Sequence, residues 1–125
     1  MTEGFAAIHG ADRDWQDDVD VLTLGEGVQV KVLRQDRDRG QLDLLVKFPA
    51  GYVEPAHVHD SEHSIVVLQG VQIVDGIELR TGDFCYGGRE TLHGPFSYPE
   101  GCVVFASFHG TSSHHRYPGS PGGEI

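Results

Sequence analysis

His57 and His59, separated by one residue, are the first side chains here whose type and spacing suggest chemistry. Residues i and i+2 of a strand point the same way, so both imidazoles would share one face, about 6–7 Å apart along the chain. His63 follows the short turn Asp60, Ser61, Glu62, and His93 lies near the start of a later strand, after a glycine-rich loop. Imidazole suits zinc, iron, nickel and copper alike. The cluster His57, His59, His63 and His93 therefore points to one divalent transition metal ion without fixing which. An isolated His-x-His would be weak evidence, because such pairs arise by chance on surfaces. Glu62 is the alternative to His63: a distorted 60–62 turn would bring its carboxylate in, although strand parity favours His63. Glu62 and Tyr52 are the candidates for an acid or a base.

Strands must carry these side chains. Residues 28–33 alternate apolar and polar, the period of a half-buried strand, and Leu42, Leu44, Val46 and Phe48 share one face of the next. The charged segment 36–40 joins the two as a hairpin loop. Residues 65–68 are continuously apolar and predict a strand covered on both sides. Asp75-Gly76 between two short apolar runs favours a type I′ hairpin turn. Residues 81–83 form another turn, and 102–108 a last long strand. With turn signals but no helical period after the first twenty residues, the chain predicts an all-β protein, a small antiparallel jelly-roll barrel that limits exposed strand edges. One domain fits the length: an N-terminal extension over 1–18, the barrel over 19–109 and a flexible C-terminal tail over 110–125, rich in Gly, Ser and Pro. Trp15 would anchor the extension onto the sheet. His114 and His115, adjacent in that tail, make a poor preformed metal site.

The 125 residues carry a formal net charge of −10, which repels phosphate backbones and anionic lipid and argues against nucleic-acid or membrane-surface partners. No apolar run approaches the ~20 residues of a membrane span, and no secretory layout opens the sequence. The two cysteines, Cys85 and Cys102, read as reduced core thiols of a cytoplasmic protein. His109 reads as a structural histidine, and Tyr52, Tyr86, Phe96 and Phe108 as packing that could also shape an apolar pocket. Lys47 and Arg89 read as surface cations. Phosphate-loop, dinucleotide and Gly-x-Ser-x-Gly motifs are absent.

The spacing resembles the cupin superfamily. Its first motif has Gly, five residues, His-x-His, three or four residues, Glu, six residues and Gly; this chain has Gly51, His57, His59, His63 and Gly70 at those intervals. Histidine stands at the glutamate position. The second motif, Gly, five residues, Pro-x-Gly, two residues, His, three residues and Asn, is matched by Gly82 and His93, with Gly88, Glu90 and Ser97 as departures. Within the superfamily the chain looks most like ChrR-type cupin domains and acetylacetone-cleaving dioxygenases, through Trp15 and the words FPAGYVEPAHVH, VVLQG, LRTGDF and EGCVVF.

That resemblance implies a cupin barrel, a homodimer and a mononuclear non-haem metal site, with iron or zinc foremost and nickel, manganese or copper as alternatives. Four neutral imidazoles would leave the ion its full +2 charge, make it a stronger Lewis acid and favour an anionic or enolate-type substrate oxygen. The implied activity is that of a dioxygenase-type oxidoreductase on a small diketone- or hydroxyketone-like substrate. The alternative is a non-catalytic regulatory module that binds zinc or a ligand.

Overall fold

Alternation dominates the elements seen in the computed structural model, which describes residues 4–19, 22 and 24–110 and the backbone of 115–116. A single 3-10 turn, Gly10–Asp12, precedes eleven strands: β1 (Gln29–Asp36), β2 (Gln41–Phe48), β3 (Tyr52–Glu54), β4 (Val58–His59), β5 (Glu62–Gly70), β6 (Gln72–Val74), β7 (Ile77–Leu79), β8 (Phe84–Gly87), β9 (Phe96–Tyr98), β10 (Cys102–His109) and β11 (His115–Arg116). No α-helix occurs among the described residues.

Two antiparallel sheets enclose the core. One has the order β1-β2-β10-β5-β8 and the other β3-β9-β6-β7, while β4 pairs with β11. Leu42, Leu44 and Val46 of β2 and Cys102, Val104, Ala106 and Phe108 of β10 all point inward and are buried. They pack with Val30, Val67, Phe96 and Tyr98 into one cluster, so both sheets present their period-2 apolar face to the same interior. The ring of Tyr98 stacks on Phe48 with centroids 3.9 Å apart and fixes one end of the barrel.

The turns follow their residues. Val74 pairs with Ile77 across Asp75 and Gly76, both at positive φ (54° and 73°), as a type I′ turn requires. Trp15 lies beneath the ammonium groups of Lys31 and Lys47, 5.0 and 4.5 Å from its ring centroid, and Gln16 bridges to Val30. The extension is thus fastened to β1 and β2.

Two expectations need correction. The 65–68 run is not covered on both sides: only Val67 is fully buried, and Leu68 is 43% exposed. Its sheet turns one face to solvent, so Val66 and Leu68 are outward residues of an apolar type. Tyr86, on edge strand β8, also points outward, away from the core. The long strand at 102–108 is present as β10, and beyond it 115–116 add the two-residue β11 to β4, with His115 opposite His59 and Arg116 opposite Val58. His114 lies outside the described residues.

Candidate metal centre

Backbone pairing brings the two histidine segments together. His57 N–H donates to the His93 carbonyl at 2.9 Å, and His93 N–H donates to that of His57 at 3.0 Å. Residues opposed in such a pair send their side chains to the same side. His59 follows two residues on, and its carbonyl accepts from Glu90 N–H at 2.9 Å. The imidazoles of His57, His59 and His93 consequently offer ligand nitrogens all within 4.8 Å of one another.

His63 enters from β5 of the five-stranded sheet, opposite Gly87 on β8 and Phe108 on β10. Its ring centroid lies 4.7 Å from that of His59 and 4.9 Å from that of His93. A methyl group at Gly87 would overlap the His63 ring, so a glycine there makes the room. Three of the four rings are almost entirely buried, His57 at 1%, His59 at 2% and His63 at 3% exposure; His93 stands at the half-buried side.

The hydrogen bonds fix where the lone pairs point. His57 Nδ1 lies 2.8 Å from the Pro55 carbonyl, and His93 Nδ1 lies 2.7 Å from the Thr91 carbonyl. A carbonyl only accepts, so each Nδ1 carries the proton and each neutral ring turns its bare Nε2 inward. Those two Nε2 atoms are 3.1 Å apart. Two lone pairs at that distance repel unless a cation lies between them, either a proton on one ring or a metal. Metal–imidazole bonds of about 2.0–2.1 Å put neighbouring ligands about 3 Å apart at a right angle. The three-histidine cluster is therefore consistent with a single metal ion.

The remaining candidates separate clearly. Glu62 is exposed, and its carboxylate accepts from the Tyr86 hydroxyl at 2.8 Å on the outer face. Tyr52, Phe96 and Phe108 line the cavity at the imidazoles. His109 is exposed at the end of β10, its Nε2 3.1 Å from Ser107 Oγ, which itself donates to Asp43 at 2.6 Å. Arg89 is exposed, and Lys47 is engaged with Trp15. Burial holds the Cys85 and Cys102 thiols up at about 11.

One residue escaped the sequence reading. Glu54, within the spacer between Gly51 and His57, has Oε1 4.0 Å from His57 Nε2 and a side chain only 15% exposed. The alternation of Tyr52, Val53 and Glu54 was the available signal, since it sends residues 52 and 54 inward together. The cavity that these groups border has a volume of about 50 Å³ and is walled mainly by apolar side chains such as Val46, Phe96, Val104 and Phe108. A water needs roughly 10–15 Å³ on this measure, so the space suits a small ligand.

Fold and site together define a cupin. The chain belongs to the ChrR cupin-like domain family, whose profile matches residues 6–112. No curated protein sequence matches it. Among solved structures it is similar to an RmlC-like cupin of Ralstonia eutropha, at 23% identity and TM-score 0.72 over 90% of this chain and 71% of that one. An acetylacetone dioxygenase of Acinetobacter johnsonii is 15% identical, with TM-score 0.70 over 100% and 83%. The anti-sigma ChrR of Rhodobacter sphaeroides, solved in complex with SigE, is 25% identical with TM-score 0.60; the match covers 78% of this chain and 50% of that one. These likenesses carry the fold.

Proposed function

We propose that the chain is a mononuclear non-haem metal oxidoreductase of the dioxygenase type, acting on a small diketone- or hydroxyketone-like molecule. His57, His59, His63 and His93 would hold the ion. The observation that carries the reading is the pair of Nε2 atoms 3.1 Å apart at the wall of a small apolar cavity, each ring locked through Nδ1 to a backbone carbonyl. Iron(II) held there would supply Lewis acidity and electrons for dioxygen. The protein's own contribution is placement: the carbonyls orient the rings, and Phe96, Phe108, Val46 and Val104 exclude water and receive apolar substrate groups.

His63 as fourth ligand rests on its burial beside His59 and His93 and on the room left by Gly87. Four histidines would hold the ion and still leave it open to a substrate offering two oxygens.

A second reading has a specific basis in the family itself: a zinc- or ligand-binding regulatory module, as the likeness to ChrR suggests. Metal analysis of untagged protein, combined with oxygen-uptake measurements on acetylacetone and acetoin, separates the two. Iron with oxygen consumption supports the enzyme; stoichiometric zinc without consumption supports the module.

A further inference from the structure

The carboxylate of Glu54 has no part in the histidine scheme, yet it stands in the same cavity. Strand β3 turns Tyr52 and Glu54 inward and leaves Val53 between them 59% exposed. Among the described residues lining the cavity, Glu54 is the one carboxylate. Gln72 and Tyr98, also in the wall, are hydrogen-bonded to each other: Gln72 Nε2 donates to the Tyr98 hydroxyl at 3.0 Å. Tyr52 and the imidazoles of His57, His59 and His63 add further polar atoms, and the other side chains of the wall are apolar.

An ionised carboxylate accepts hydrogen bonds and cannot donate them. In a mostly apolar cavity its charge acts through a low effective dielectric, so it offsets part of the attraction that a bound divalent cation exerts on an anionic ligand. A hydroxyl gains a charge-assisted hydrogen bond from the same group. At 4.0 Å from His57 Nε2, Glu54 Oε1 is close enough that whatever is bound next to that imidazole must meet it.

We propose that Glu54 selects the ligand of the histidine centre, favouring a small neutral hydroxyketone that offers its hydroxyl to Glu54 over diketones that lack one, and weakening the hold of the site on carboxylate anions. The proposal rests on the metal-centre reading above and narrows its substrate class. Glu54 is a specificity residue here, and the motif's missing carboxylate at position 63 is not being replaced as a ligand.

The test uses the full chain loaded with cobalt(II), without oxygen, whose visible absorption reports ligand binding. Acetoin, butane-2,3-dione and oxalate are titrated into the wild type and Glu54→Gln, the first two differing by a hydroxyl in place of a carbonyl. Wild type should bind acetoin at least about tenfold more tightly than butane-2,3-dione. Glu54→Gln should keep its cobalt, lose most of the acetoin preference and bind oxalate several-fold more tightly. Equal preferences in the two proteins would overturn the selection. So would cobalt loss in Glu54→Gln as deep as in His57→Ala, since that would make Glu54 a ligand. Failure of the wild type to take up cobalt would instead overturn the metal centre itself, and this role with it.

Discussion

At the scale of single residues, the site is set by ring orientation and by small side chains that leave space. His59→Ala should abolish most metal uptake, because it removes a nearly buried imidazole from the cluster, whereas Glu62→Ala should leave metal content close to wild type. Metal analysis of the purified variants checks both, and equal losses would show that the fourth ligand is misassigned. Gly87→Ala tests His63 without touching it: the added methyl must displace the ring, so metal affinity should fall. Glu90 offers a change of the opposite sign. It stands where the family motif has glycine and adopts φ +61°, a conformation costing a non-glycine residue about 1–2 kcal/mol. Glu90→Gly should therefore raise stability by up to about 1 kcal/mol, measured by denaturant unfolding, against the usual destabilising direction of a change to glycine. The histidines were legible in the sequence because their spacing is unusual. Glu54 was not, because a glutamate in a spacer looks like any surface charge until the strand's inward face is known.

At the scale of elements, alternation made β1, β2 and β10 readable and Asp75-Gly76 marked its hairpin, because each pattern has a direct steric cause. The 65–68 run misled for a physical reason: a continuous apolar run cannot distinguish a strand covered on both faces from one whose outer face stays open. Pairing across strands supplies what the run lacks. Leu45, Phe105, Val66 and Phe84 lie directly opposite one another across β2, β10, β5 and β8, forming an apolar row on the outer face. The motif's closing glycine is likewise structural. Gly70 has φ +84°, and a Cβ there would run into the Gly101 carbonyl and lie 2.9 Å from Cys102 Cα. Gly70→Ala combines left-handed strain with overlap against backbone and should cost about 2–4 kcal/mol, read from the denaturation midpoint. A loss below about 1 kcal/mol would mean that the β5–β10 junction yields more than its geometry implies.

At the scale of the whole molecule, metal, pH and association should each leave a signature. The thiols of Cys85 and Cys102 are held up at about 11, above their ordinary value of 9.0. Below pH 9 both states keep the proton and the contribution is fully present; between 9 and 11 the unfolded chain ionises first, so stability should fall as pH rises. Thermal unfolding at pH 8 and pH 10.5 checks the sign, and slow alkylation of the native protein at neutral pH should accompany it. The open outer face supports the homodimer that the resemblance implies, and we propose that a second copy covers the row ending at Phe84, itself 56% exposed. Light scattering should give twice 13.7 kDa, with Phe84→Asp shifting the mass to one copy. No helix among the described residues is long and apolar enough to cross a membrane.

The most direct measurement is equilibrium metal binding by the untagged chain, compared with a His57→Ala/His93→Ala double variant that still folds by circular dichroism. One divalent ion per wild-type chain, with less than about a tenth of that occupancy in the double variant, is the predicted result. Equal occupancy in the two proteins, or none in either, would contradict a cation seated between these imidazoles.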